Sequence, residues 1–320
     1  MKWTIVSALT LIAVQLWAFD SDAWLGKREV FAREAERLQA TYSNCVIRLD
    51  APAENVTLPV ETFSDGSVKT IIFAKKAQYF LKEGLVWAEG VKVSKFNEDK
   101  SVDIVIEAEH CLVDKNTKSG WAEGPAKVTQ GKSVFKGTGI YFSSTDGYVK
   151  VFDDSDIDSK DLKFNADTAG LSERLKTSEG PKSAHITSRR CDIDRDAGVI
   201  MFEDKVKAVY SDEYVMCSDR IFMFTTGTNE LSRVVAVGDV SITNDTKVGT
   251  CEMAVYRRKK GVIEMFSGGS NSVARLVDTG KNASVLEGSR IKFWIASEQV
   301  EVDRSQITVE TKNADKKDFL

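Results

Sequence analysis

From residue 46 onward the chain alternates apolar and polar positions with a period of two, broken repeatedly by glycine or Asx turns. Val60-Glu61-Thr62-Phe63, then Asp65-Gly66, then Val68 to Ala74, predicts a strand, a tight turn and a strand. An Asp-Gly pair between such runs favours a hairpin because both central turn residues take positive φ. Similar punctuation follows at Glu83-Gly84, Asn97, Gly120, Gly131, Asp146-Gly147, Gly198, Gly227, Asn244-Asp245 and Gly261. Strands of about five to nine residues, interrupted this often, predict an antiparallel sandwich, barrel or solenoid. Helical spacing occurs between Trp24 and Gln39, where Val30, Phe31, Ala35 and Leu38 fall on one face among charged residues. Ahead of it, Lys2 precedes a largely apolar run from Trp3 to Phe19, then the small residues Ser21-Asp22-Ala23. Met1 to Ala23 therefore reads as a targeting segment, and both a cleaved signal and a retained anchor fit it.

The strand pattern repeats. Trp87-Ala88-Glu89-Gly90 and Trp121-Ala122-Glu123-Gly124 are identical words 34 residues apart (121 − 87). A looser unit has an anchor residue, a mostly small or apolar residue at +3 and an apolar residue at +5. Its anchors are Ala74, Ala108, Lys136, Ala166, Ser188, Cys217, Cys251 and Gly288, and its +5 residues run from Tyr79 to Phe293. In an undistorted strand, +3 and +5 share one face. Such units suit stacked strand pairs, each needing its neighbours to bury its apolar face. The polar stretch Ser172 to Ser183, with Glu179-Gly180-Pro181, marks a boundary between two domains.

Composition narrows the function classes. The formal charge of −4 and the absence of a strongly basic segment argue against nucleic-acid binding. Only His110 and His185 are available, and no metalloprotease, nucleophile-elbow, phosphate-loop or dinucleotide motif is present, so neither catalysis, a cofactor nor a metal is expected. Asp192, Asp194, Asp196 and Glu203 approach calcium-loop spacing, but Ala197 holds the glycine position and the flanks read as strands. Cys45, Cys111, Cys191, Cys217 and Cys251 show no CxxC spacing. Cys217 and Cys251 occupy equivalent positions in successive two-strand units, which would separate them by about 9.6 Å, too far for a disulfide. Cys111 and Cys191 are expected to be small buried residues.

Thr62-Phe63-Ser64-Asp65-Gly66 through Ala74-Lys75-Lys76-Ala77-Gln78-Tyr79, with Ala108 to Val113 and Gly120 to Gly124, resembles the LptC component of lipopolysaccharide export. Ile193 to Glu203 and Val237-Gly238-Asp239-Val240-Ser241-Ile242 resemble the OstA-like, or LptA, component. The resemblance implies an all-β protein of two open β-jellyrolls, each a V of antiparallel sheets, in series behind an N-terminal signal or anchor helix. It places an LptC-like domain at residues 46–171 and an LptA-like domain at 186–310, while residue composition makes 24–45 an amphipathic helix and linker, 172–185 a linker and the polar 311–320 a mobile tail. The implied function is non-catalytic transport of lipopolysaccharide through the periplasm to the outer membrane, with anchoring in the inner membrane as one outcome for the N-terminal segment.

If +3 and +5 face inward, Tyr79, Val113, Tyr141, Phe222, Tyr256 and Phe293 line the lipid path, joined by Val91, Val93, Val240 and Ile242 from intervening strands. The strand holding Ile307, Thr308 and Val309 is expected to pair edge-to-edge with another lipopolysaccharide-transport protein. The competing reading of the repeats is a structural or adhesive β-solenoid that polymerises at the cell surface.

Overall fold

The computed structural model describes residues 21–160, 183–210, 214–226, 230–269, 272–280, 283–295, 297–303 and 306–309. It is an all-β fold of antiparallel strands with one long helix, and its contacts divide it into two bodies. Among the described residues, the first body comprises residues 21–160 and 183–204, and the second begins at residue 205. The expected leader falls almost wholly outside the described residues, as do most of the expected linker and the polar tail. No helix among the described residues is long and apolar enough to cross a membrane.

The first body is an antiparallel meander of β1 (Ala53–Thr62), β2 (Val68–Phe80), β3 (Leu85–Phe96), β4 (Val102–Asp114), β5 (Ser119–Gln130), β6 (Ser133–Ser143) and β7 (Tyr148–Lys160). β7 then pairs along one half with β8 (Ser183–Ser188) and along the other with β9 (Arg190–Asp194). The start of β10 (Val199–Tyr210), up to Glu203, returns beside β9, and the strand runs on into the second body from residue 205.

A bend crosses these strands at matching heights. Gly90, Gly124, Gly139 and Asp154 all have positive φ there, and the register shifts by one residue between Ala122 and Pro125, and again between Lys136 and Thr138. Bulges with left-handed residues turn a strand sharply, and glycine takes that conformation without Cβ strain. This explains the repeated Trp-Ala-Glu-Gly word: each copy ends on the residue that bends its strand. It also explains two of the repeat anchors, Ala74 and Ala108. Ala74 and Ala108 both pair with Val91, and Ala126 with Gly137, so small residues occupy the row where the two halves of the sheet converge. A Cβ on Gly137 would lie 2.2 Å from Val151 Cγ1.

The second body repeats the plan with β11 (Tyr214–Thr226), β12 (Glu230–Asn244) and β13 (Lys247–Arg257). The bend in β12 falls at Gly238 and Asp239, where the register to β13 shifts. Beyond it the sheet divides. One half of β13 pairs with β14 (Val262–Phe266), followed by β17 (Arg290–Trp294) and β18 (Val300–Asp303). The other half pairs with β15 (Ala274–Asp278), followed by β16 (Ser284–Gly288) and β19 (Gln306–Val309).

Helix α1 spans Ser21–Ile47, longer at both ends than the expected Trp24 to Gln39. Asp22 in its first turn suits the helix dipole, and Pro52 stands shortly beyond its end. Trp24, Phe31, Ala35, Leu38 and Cys45 are buried, at three-, four- and seven-residue spacings. Val30, expected on that face, is 58% exposed. The buried stripe lies on the outer face of one half of the first body, against Phe80, Leu85, Trp87, Leu112, Trp121, Tyr141 and Tyr148. That half-sheet is therefore covered on its outer side by the helix, leaving its inner side to face the other half.

Candidate functional site

The inner faces of the first body carry two apolar ladders. On the half farther from the helix, successive paired positions are Ile72, Val93, Ile106, Val128, Phe135, Ile157 and Ile186. On the helix-covered half they are Val86, Val113, Gly120, Phe142, Val149 and Ile193. Residues of both ladders line one cavity of about 100 Å³. A Cβ on Gly120 would come within 2.3 Å of Phe142 Cζ, so glycine at this rung leaves room for the Phe142 ring to lie across it.

The lining changes character away from the bend. Val151, Ile72, Val93, Ile106 and Val128 lie deep. One rung farther out stand Thr70, Lys95, Ile104 and Gln130 on one half, three of the four polar, with Lys118, Ser144 and Arg195 in the hairpin turns of the other. Those turns are stacked by backbone hydrogen bonds: Lys115 N to Gly84 O, Ser144 N to Lys118 O and Arg195 N to Gly147 O, at 3.0, 3.0 and 3.1 Å. The site is thus an apolar slot with a charged and hydroxylic rim. It can hold an alkyl chain out of water, with a gain of about 0.8 kcal/mol for each methylene buried.

The sequence-predicted lining residues are spread over several environments. Val93 and Val113 line the cavity, and Val91 is buried in the small-residue row at the bend. Tyr79 pairs with Val86 at the open end of the same ladder, 45% exposed, with Lys115 Nζ 5.3 Å from its ring centroid. Tyr141 faces the helix, 5.9 Å from the Phe31 ring, and burial pushes its phenol well above the usual tyrosine range. In the second body, Ile242 and Phe293 line a smaller cleft of about 30 Å³ with Tyr214, Ile263, Met265 and Leu276. Val240 and Tyr256 are buried, and Phe222 is half-exposed. Ile307, Thr308 and Val309 lie in β19, whose backbone pairs with β16 through Leu286, Val285 and Ser284.

The +3/+5 rule does not name Ile72, Ile106, Val128, Phe135, Phe142 or Val149. A signal for some of them exists in the sequence, since Ile72, Ile106 and Ile186 each stand two residues before an anchor. The rule assumes that one face persists along a strand. A left-handed residue such as Gly139 rotates the chain at the bend, so Tyr141 emerges on the helix side while Phe142 points into the slot.

The acidic run Asp192-Ile193-Asp194 serves packing. Asp192 is fully buried and receives Arg28 Nε at 2.8 Å, Lys150 Nζ at 2.7 Å and the Tyr148 hydroxyl. Arg28 also reaches Glu203 Oε2 at 2.6 Å, and Lys27 holds Asp194 at 2.9 Å. Burial and the Asp192 carboxylate beside it push the Tyr148 phenol far up. The calcium-like spacing thus reflects a strand whose alternate residues point toward cations of the helix and β7. Elsewhere, Asp156, Asp158 and His185 converge on one sheet face, with His185 Nδ1 2.8 Å from Asp158 Oδ1. His110 packs between Trp87 and Tyr42, at ring separations of 6.2 and 6.5 Å. All five cysteines are free, Cys45, Cys111 and Cys191 are buried, and β12 separates Cys217 from Cys251.

No family model matches the chain, and no curated protein matches it. Among solved structures it is similar to LptH from Pseudomonas aeruginosa, described as the LptA-homologous periplasmic component of the conserved lipopolysaccharide transport device. The two share 10% identity with a TM-score of 0.35, over 40% of this chain and 95% of that one. At that level of similarity the match assigns no residue and no activity to this chain.

Proposed function

We propose that this protein is a non-catalytic lipid carrier of the periplasm that holds acyl chains of lipopolysaccharide between the two halves of its bent sheets. The observation that carries this reading is the pair of facing apolar ladders around a cavity with a polar rim. A polymerising β-solenoid needs a filled interior, whereas an amphiphile carrier needs an apolar slot with a wet edge. Val93 and Val113 in the first body, and Ile242 and Phe293 in the second, form the lipid path in this reading. The first body would act in the manner of LptC and the second in that of LptA, with β19 as the edge that accepts a strand from a partner of the same class.

Photo-crosslinking in cells producing lipopolysaccharide tests it. A crosslinker at Val93 or Phe135 is expected to capture lipopolysaccharide, and one at Lys92, whose neighbours on the opposite sheet face are Glu107 and Lys127, is not. Equal capture at all three positions would refute the slot. Capture of phospholipid alone would keep the carrier and replace its cargo.

A further inference from the structure

Two polar contacts at the rim of the slot join the opposing halves of the first body. Arg195, in the turn between β9 and β10, places Nη1 3.3 Å from Asp103 Oδ2 at the start of β4. Ser144, in the turn between β6 and β7, donates to Glu61 Oε1 of β1 at 3.3 Å. Glu61 is held in turn by the Thr70 hydroxyl at 3.1 Å. Side-chain exposure is 33% for Arg195 and 16% for Asp103, so the ion pair sits at the boundary between cavity and water. Behind it the cavity measures about 100 Å³, well under the roughly 300–1,000 Å³ of ordinary small-molecule sites. Widening the slot at this margin for an alkyl chain parts the two halves and breaks these contacts.

From this geometry we infer that the Arg195–Asp103 pair is a latch, opened by an anionic amphiphile whose headgroup takes the place of Asp103 on Arg195. This rests on the carrier reading and names the chemistry the rim selects. Arg195, Lys95 and Lys118 line the cavity at its polar margin, beside the apolar rungs Val93 and Ile193. A ligand with an alkyl chain and an adjoining phosphate or carboxylate satisfies both zones together. A neutral chain must break the ion pair without replacing it, leaving the Asp103 carboxylate and the Arg195 guanidinium to resolvation alone. Free phosphate can meet Arg195 but gains nothing from the slot. The exchange of one carboxylate for another anion keeps the arginine paired throughout, so opening and loading are one event.

The test uses the full chain and competition against a fluorescent acyl probe, with lauryl phosphate, lauryl alcohol and inorganic phosphate as competitors. The wild-type protein is expected to prefer lauryl phosphate over the alcohol by about tenfold, the worth of one charge-assisted hydrogen bond. Arg195→Gln is expected to abolish that preference while still binding the alcohol. Asp103→Asn is expected to tighten lauryl phosphate several-fold, because the internal competitor is gone. Inorganic phosphate is expected to leave the probe in place. A wild-type preference retained in Arg195→Gln, unchanged lauryl phosphate affinity in Asp103→Asn, or displacement by inorganic phosphate would each overturn the latch and leave the carrier standing. Failure of both lauryl compounds to displace the probe overturns the carrier reading and the latch with it.

Discussion

Replacing Arg28 by methionine tests how the helix is held on the first body. Arg28 bridges Asp192 at 2.8 Å and Glu203 at 2.6 Å, and is itself only 18% exposed. Methionine keeps the apolar stem and removes the charge. Asp192, fully buried, keeps Lys150 at 2.7 Å and the Tyr148 hydroxyl, while Glu203 keeps Arg190 at 3.4 Å. The loss is therefore smaller than the roughly 3–5 kcal/mol for a buried charge left alone, and about 2–3 kcal/mol is expected. Native-state hydrogen exchange of the α1 amides reads this directly, as opening about 30- to 140-fold more frequent. Asp192→Asn in the Arg28→Met background removes the under-compensated charge, so the two changes should couple by at least about 1 kcal/mol. Unchanged exchange in Arg28→Met, or strictly additive effects in the cycle, would refute the buried clamp.

Other expectations follow from single contacts. Gly120→Val drives a side chain into the Phe142 ring, and should destabilise the first body by about 1–3 kcal/mol in urea unfolding and lower acyl-probe affinity; unaltered affinity would mean that Phe142 does not shape the slot. Burial pushes the Cys111 and Cys251 thiols up to about 12 from an ordinary 9.0, so both stay protonated in the fold while the unfolded chain ionises. The associated stability is complete below pH 9 and is lost as pH rises from about 9 to about 12, a decline that Cys111→Ala should lessen in unfolding midpoints measured across that range. In β19, adjacent backbone amides point to opposite sides of the strand, so of Ile307→Pro and Thr308→Pro one disrupts pairing to β16 and the other blocks the outer edge. If neither weakens end-to-end association with a partner jellyroll, this strand is not the docking edge.

Much of the local structure is legible in the residues themselves. Asp65-Gly66 does lie in a turn between β1 and β2, but only Gly66 takes positive φ, at 84°, and the loop closes between Phe63 and Ser67 instead of at a two-residue turn, with Asp65 Oδ1 accepting from Ser67 N at 2.9 Å. The helical spacing of Phe31, Ala35 and Leu38 marks a stripe that is indeed buried. The anchors Ala74 and Ala108 mark the bend, because a strand that folds over itself needs small residues where its halves converge, whereas Lys136 stands beside the bend without being small and Ala166 lies outside the described residues. These signals are local: each depends on a few neighbouring residues and on the conformations their side chains permit.

What lies on which side of the sheet was decided only in three dimensions. Period two specifies two faces but not which one looks inward, and a left-handed residue in mid-strand exchanges them, as at Gly139 before Tyr141 and Phe142. The partner of the amphipathic helix is likewise invisible in its own sequence, since any apolar surface would satisfy its stripe; Arg28 and Lys27 select one surface through carboxylates 164 and 167 residues away. The same holds for the rim of the slot, where Arg195 meets Asp103 across 92 residues of chain. Side-chain chemistry makes such pairs possible, but only the closing of one half-sheet over the other brings them within hydrogen-bonding distance.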